Sequence, residues 1–261
     1  MLRIDALRLC VALAAWALVS LALAADAPLA FRFESSAALI SLLEVYTSEG
    51  CSSCPPADAW LSSLRRSPRL WKEFVPLDFH VDYWDHLGWR DPWGARQFSD
   101  RQQAWAQSWG ARLTYTPGFV LNGKEWRDWR AQKAGPPPSH ETPGLLAVRS
   151  VASNRCQVVF TPAAASTAPA CEFHAALLAG GLSSDVKAGE NRGRHLAHDF
   201  VVLNLREGAL SRRAESFTGD FDLSPPAHGI NDLALAVWVT PAGKWVPLQA
   251  VGGWLKPDHA R

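Results

Sequence analysis

The 261 residues carry no surplus of either charge: 26 Lys and Arg stand against 25 Asp and Glu. A chain that lives on phosphate contacts shows a basic excess, so nucleic acid is not an expected partner. Cysteine is sparse at five residues, and no second Cys-x-x-Cys exists to complete a four-thiolate metal site. Internal repeats are absent. Past the first 25 residues, no apolar run approaches the roughly 20 residues that a membrane-spanning helix needs. With 48% hydrophobic and 20% charged residues, wholesale disorder is excluded as well. What the chain does have is tryptophan, 13 residues of it.

Residues 1–25 read as a secretory signal. Arg3 and Arg8 form a basic start, Leu9 to Leu23 an apolar run, and Ala22-Leu23-Ala24 a small-residue cleavage site. The run is too short for a retained anchor. Cys10 lies inside it and is expected to leave with it. The mature protein is then near neutrality and located in the periplasm or secreted, with no membrane span. In an oxidising compartment the four remaining cysteines can pair, and the local connectivity, Cys51 with Cys54 and Cys156 with Cys171, is the natural choice.

The obvious seam is Gly135 to Gly144 (GPPPSHETPG), whose three consecutive prolines suit a semi-rigid linker. Two domains are therefore expected: an α/β unit over 26–134 and an all-β, sandwich-like unit over 145–261. In the first, Ala38–Thr47 reads as a strand covered on both faces. Trp60, Leu61 and Leu64 recur at helical spacing, and Phe74–Tyr83 reads as a strand carrying Asp78, His80 and Asp82 on one face. Arg96–Trp109 reads as a helix closed by Gly110, and Phe119–Leu121 as a short strand before the turn Asn122-Gly123.

The chemistry sits in Thr47 to Pro56 (TSEGCSSCPP), between a buried strand and a helix. Unpaired N–H groups and the macrodipole at a helix start favour an anion, so the first thiol should ionise below the usual value of about 8.5. Cys51 is thus the expected nucleophile and Cys54 the resolving thiol. Pro55 and Pro56 lack N–H groups, which a first helical turn tolerates. Two other readings of the pair remain: an inert staple, or a metal carrier using both thiols. In the second half, Cys156, Val158 and Phe160 share one face, as do Cys171, Phe173, Ala175 and Leu177. A structural Cys156–Cys171 bridge is expected there, adding about 3 kcal/mol through its loop entropy.

Four segments together resemble the exported, thioredoxin-like family called domain of unknown function 1223. They are TSEGCSSCPPAD (Thr47–Asp58), FHVDYWDHLGWRDPW (Phe79–Trp93), YTP (Tyr115–Pro117) with Asn122-Gly123, and GENRGRHLAHD (Gly189–Asp199). The resemblance implies a thioredoxin-like α/β domain joined to a β-rich one, but no demonstrated activity. It also implies a cis Pro117 opposite the Cys pair, with the Thr116 backbone free to meet a substrate peptide. In the family pattern Gln follows the proline and Asn follows His-Asp; here Gly118 and Phe200 stand in those places.

The expected function is thiol–disulfide exchange on cysteine-bearing proteins or small thiols, without cofactor or bound metal. The alternative is a non-catalytic binding protein. Asp82 or His80 is a candidate proton acceptor for Cys54, and a structural hydrogen-bonded pair is the equal alternative. A His-x-Asp metal site with Asp85 or His86 ranks below both. Tyr83, Trp84, Trp89 and Trp93 could floor a substrate groove, although such aromatics more often seal one element against another. The loop Glu190–Asp199 could anchor a carboxylate, bind metal through His195 and His198, or dock against the first half; docking is preferred.

Overall fold

The structure, a computed structural model, describes residues 30–152, 154–224, 230 and 232–255; the signal segment expected at 1–25 lies outside them. No helix among the described residues is long and apolar enough to cross a membrane. The chain begins with strands β1 (Arg32–Glu34) and β2 (Ser41–Thr47), then helix α1 (Pro55–Ser63) and β3 (Phe74–His80). Helix α2 (Arg96–Ser108), β4 (Gly118–Leu121) and β5 (Lys124–Glu125) follow. Past the prolines come β6 (Gly144–Ser150), β7 (Arg155–Pro162), β8 (Cys171–Gly180), β9 (Leu182–Asp185) and β10 (His195–His198). The chain ends with β11 (Val201–Ala209), β12 (Ser211–Arg213), β13 (Ser216–Asp222), β14 (Asp232–Pro241) and β15 (Gln249–Leu255).

This architecture corrects the expected fold class. The chain is not an α/β thioredoxin-like unit followed by a sandwich; it is built mainly of strands, with two α-helices among the described residues. One eight-stranded mixed sheet, ordered β15-β14-β8-β11-β3-β2-β4-β5, takes strands from both sides of the Pro-rich segment. A five-stranded antiparallel sheet, β1-β6-β7-β13-β12, and the pair β9-β10 complete it. The reason lies in β8 and β14. Phe173 to Gly180 and Ala234 to Val239 are buried without interruption, so these strands need cover on both faces. Such runs belong in the middle of a sheet. They extend the free edge of β3 through β11, which pairs with β3 in parallel at Val201 and Asp78.

The two faces of the large sheet hold separate cores. Leu42, Tyr46, Val75, Leu77 and Phe79 pack beneath α2 through Phe98 and Trp105, continuous with Ala176, Leu178 and Trp238. On the other face, Leu43 and Val45 meet α1 through Ala57 and Leu61, with Trp129 and Phe119. Farther along, Phe173, Leu177, Leu235 and Val237 face Leu146, Val148, Val158 and Phe160 of the five-stranded sheet. Cys156 and Cys171 both lie in this last core, on different sheets, and both are free thiols. The expected Cys156–Cys171 bridge is therefore not formed. Inward-facing side chains on strands of two sheets share a core without being within bonding reach, and burial raises both thiol pKa values.

An ion pair crosses the core of the first face. Arg101 donates to Glu44 through two nitrogens at 2.9 and 2.7 Å, joined by Trp105 Nε1 at 3.0 Å and the Tyr46 hydroxyl at 2.6 Å. Burial opposes the Glu44 charge, but the guanidinium and these donors hold its pKa below the usual value. The Arg101 guanidinium also lies over the Phe79, Trp238 and Trp245 rings at 5.2–5.5 Å. Replacing Arg101 by Met leaves Glu44 buried without its cation. Arg101→Met is expected to cost about 3–5 kcal/mol, read as a fall in the urea midpoint at unchanged slope.

Candidate functional site

Strand β2 ends at Thr47 in a turn closed by Cys51 N–H on the Ser48 carbonyl, 3.1 Å. Cys54 is the N-cap of α1; its carbonyl receives the N–H groups of Ala57 at 2.7 Å and Asp58 at 3.1 Å. Pro55 and Pro56 occupy the first helical positions, where the missing donors cost nothing. Both cysteines are free thiols. Cys51 Sγ lies 3.2 Å from Ser53 Oγ and donates to the Thr116 carbonyl at 3.7 Å. The Thr116–Pro117 bond is cis.

The two sulfurs are electrostatically unlike. A hydrogen bond from Cys54, opposed by burial and helped by Ser53, lowers Cys51 to about 6. Burial, the neighbouring Cys51 and the Asp58 carboxylate push Cys54 upward. Yet Cys51 is only 1% exposed, while Ser52 and Ser53 reach solvent. The Trp84 side chain lies against Gly50, and its Nε1 donates to Thr116 Oγ1 at 2.8 Å. It thus bridges residues on two sides of the sulfur. Gly118 follows the cis peptide at a crowded point: a Cβ there would lie 2.9 Å from Gln102 Nε2, which donates to the Tyr115 carbonyl at 2.7 Å.

The Glu190–Asp199 loop closes the other side. Asn191 Nδ2 donates to the Glu49 carbonyl at 2.9 Å and the Cys51 carbonyl at 2.8 Å, while Glu190 accepts the Ser52 N–H at 2.9 Å. Asp199 pairs with Arg65 at 2.6 Å beyond the end of α1. Strand alternation separates the two histidines of this loop: His195 is exposed and pairs with Asp185, whereas His198 is buried and meets Glu49 Oε1 at 3.1 Å.

Beneath the thiol turn lies a sealed polar cluster. His80 Nδ1 meets Asp91 Oδ2 at 2.8 Å, and its ring sits edge-on to His198 at 4.8 Å. Its Nε2 faces Asp78 Oδ2 at 3.4 Å. Burial disfavours an imidazolium here, but Asp91 and Asp78 raise the His80 pKa well above its ordinary value. Asp58 accepts a hydrogen bond from Thr47 Oγ1 at 2.7 Å; burial and Asp78 push its pKa up to about 7.

Asp82 sits elsewhere. It lies past the end of β3, where its N–H donates to Ser99 Oγ at 3.1 Å and its carboxylate accepts the Ser99 hydroxyl at 2.5 Å, fastening the loop to α2. Tyr83 donates to Gln102 at 3.1 Å. His86 meets the Tyr83 carbonyl and Asp85 accepts the Asp91 N–H, so neither enters the buried cluster. Trp89 Nε1 donates to Glu49 Oε2 at 2.7 Å.

Five residues of the cluster went unassigned from the sequence: Glu49, Asp58, Asp78, Asp91 and Asn191. Asp58 had a legible signal, since it follows Cys54 by four residues and so shares a helix face with it. Glu49, Asp91 and Asn191 lie on turns, and no periodicity marks them.

The family described as "Protein of unknown function (DUF1223)" matches residues 42–240, and the chain belongs to that family. No curated protein matches. Two solved structures are similar. One is protein AGR_C_4864 from Agrobacterium tumefaciens, at 20% identity and TM-score 0.59, covering 86% of this chain and 97% of that one. The other is HBP35 of Porphyromonas gingivalis, at 16% identity and TM-score 0.61, covering 87% and 79%. At such identities the likeness is one of fold.

Asn191 ties the thiol turn to the later half of the chain. Asn191→Ala would leave the Glu49 carbonyl without its side-chain donor and the Cys51 carbonyl with the Cys54 N–H alone, and is expected to cost about 1–3 kcal/mol in chemical denaturation. It should also speed modification of Cys51 by a thiol reagent.

Proposed function

We propose that this protein is an exported thiol–disulfide oxidoreductase acting on cysteine-bearing proteins or small thiols. The observation that carries the reading is the division between the sulfurs: Cys51 ionises near 6, and Cys54, one turn away, holds its proton. Only the thiolate is nucleophilic, so at neutral pH one sulfur attacks and the other waits.

The Cys51 thiolate attacks one sulfur of a substrate disulfide. The substrate S–S bond breaks, and the departing sulfur leaves as a thiolate. Cys54 gives its proton to that leaving thiolate and attacks the Cys51 sulfur, breaking the mixed disulfide and releasing the second substrate sulfur as a thiolate that takes its proton from water. The products are a reduced substrate and a Cys51–Cys54 disulfide, which an external dithiol would reduce again. The reverse sequence oxidises a substrate dithiol. The buried Thr116 carbonyl, which accepts from Cys51 Sγ and Ser53 Oγ, and the cis peptide after it lie beside Cys51, with Trp84 hydrogen-bonded to the Thr116 hydroxyl. An open cleft of about 290 Å³, lined by Trp105, Trp109, Leu113 and Tyr115, leads toward the same peptide. Because Cys51 is nearly sealed, a neighbouring side chain must move before attack, and Trp84, held between Gly50 and Thr116, is the one we assign to that movement.

Alkylation of Cys51 should rise with pH through about 6 and level off by neutrality, because the reactive thiolate is then fully formed. In Cys54→Ala the donated hydrogen bond is lost, so the midpoint should move upward, and a mixed disulfide with substrate should persist for want of a resolving thiol. A midpoint near 9 in the parent protein, with no trapped partner, would sink the reading. Trp84→Ala should raise the alkylation rate several-fold at fixed pH while leaving the midpoint in place; an unchanged rate would show that the indole does not gate the sulfur.

A further inference from the structure

We propose that Asp78, His80 and His198 form a buried binding site for one divalent transition-metal ion, separate from the thiol pair. One ligand atom from each lies within 4.8 Å of the others, and all three side chains are at most 1% exposed. The atoms that face one another have no hydrogen-bond partner: both Asp78 oxygens, His80 Nε2, His198 Nδ1 and, beside them, Asp58 Oδ2. Buried polar atoms in folded proteins are nearly always paired, so this many unpaired ones at a single point call for a partner.

Each histidine is oriented for ligation. On His80, Nδ1 is held by Asp91 at 2.8 Å and Nε2 points inward. On His198, Nε2 is held by Glu49 at 3.1 Å and Nδ1 points inward. A carboxylate on the far nitrogen is how metal-bound imidazoles are aimed and made more basic. Those carboxylates are themselves fixed. Glu49 accepts from Trp89 Nε1, and Asp91 accepts the N–H groups of Glu49 and Trp93.

Spacing separates this reading from a simple ion pair. A charge-assisted hydrogen bond from imidazolium to carboxylate falls at about 2.7–2.9 Å. Asp78 Oδ2 and His80 Nε2 are 3.4 Å apart, with no hydrogen bond between them. Two ligands about 2.0–2.1 Å from a tetrahedral ion are separated by about 3.4 Å. Asp58 Oδ2, also unpartnered, lies 3.9 Å from His198 Nδ1. Charge agrees: the only basic groups that Glu49, Asp58, Asp78 and Asp91 meet among the described residues are imidazoles, and no Lys or Arg pairs with any of them. Two imidazoles and a carboxylate suit Zn²⁺ and its neighbours in the first transition row better than Ca²⁺ or Mg²⁺.

The test uses the purified, chelator-stripped protein and a Cys51→Ser/Cys54→Ser variant, each titrated with Zn²⁺ by calorimetry and with Co²⁺ by absorption. One equivalent is expected to bind in both proteins, with ligand-field bands and no thiolate-to-cobalt charge-transfer band. Asp78→Asn should abolish binding, and Asp91→Asn should weaken it about 10- to 100-fold. Absent stoichiometric binding, binding that disappears with the two thiols, or binding unchanged by Asp78→Asn would each overturn the proposal. If Asp78→Asn does not fold, the comparison of parent with thiol-free protein still decides, and because that variant has no redox chemistry its outcome is independent of the thiol–disulfide reading.

Discussion

One parallel strand contact organises the functional region. The Asp78 N–H donates to the Phe200 carbonyl at 2.9 Å, and Val201 stands beside Asp78 in the register of β11 on β3. A parallel neighbour must enter from the same end of the sheet as β3, and the chain that delivers β11 is the segment carrying Asn191, His198 and Asp199. That segment meets the thiol turn at Asn191, at the opposite end of the sheet, and runs back alongside α1 to Asp199 at Arg65 before β11 begins. His198 is carried to Glu49 and Asp58, and Asn191 reaches the Glu49 and Cys51 carbonyls. Without this contact the turn would lose one wall and the buried cluster one of its two imidazoles.

The chain places two charged clusters in its interior and treats them differently. Glu44 and Arg101 meet in a bidentate pair with every accompanying donor engaged, and aromatic rings cover the cation. Such a pair recovers its desolvation cost because geometry and hydrogen bonding are complete. The cluster of Asp78, His80, His198 and Asp58 has comparable burial but lacks that completeness, for its inward atoms meet no donors. The carboxylates behind it, Glu49 and Asp91, are by contrast well held. A rigid outer ring around an unsatisfied centre differs from ordinary core polarity, where satisfaction is shared evenly.

Sequence legibility followed the length scale of the interaction. The helix after the cysteines was marked by Trp60, Leu61 and Leu64, and α2 by Phe98 and Trp105, because helical periodicity is local. The thiol turn was legible for the same reason: two cysteines, two prolines and a helix start fit within ten residues. The large sheet was not. Cys171, Phe173, Ala175 and Leu177 were assigned one inward face, yet Ala176 and Leu178 on the opposite face are equally buried. Alternation among small and large apolar residues hides a strand covered on both sides, and with it the sheet that joins β8 to β3. The missed bridge between Cys156 and Cys171 has the same origin: a shared inward direction says nothing about which sheet each strand enters.

The asymmetry of the thiols follows from where negative charge lies relative to each. Burial first, then the neighbouring Cys51 and the Asp58 carboxylate on the same helix face, push the Cys54 thiol upward, so its proton stays. The same proton, donated toward Cys51, stabilises a thiolate there, together with the Ser53 hydroxyl. Raising one sulfur and lowering the other are thus a single electrostatic event seen from two ends of one hydrogen bond. Exposure then decides when the charge can be used. Cys51 is 1% exposed, and Trp84 joins its neighbours Gly50 and Thr116. Under the proposed thiol–disulfide reading, the buried acid would set reactivity in this site and the aromatic ring would control access to it. The two are separable because they act on different atoms of the same turn.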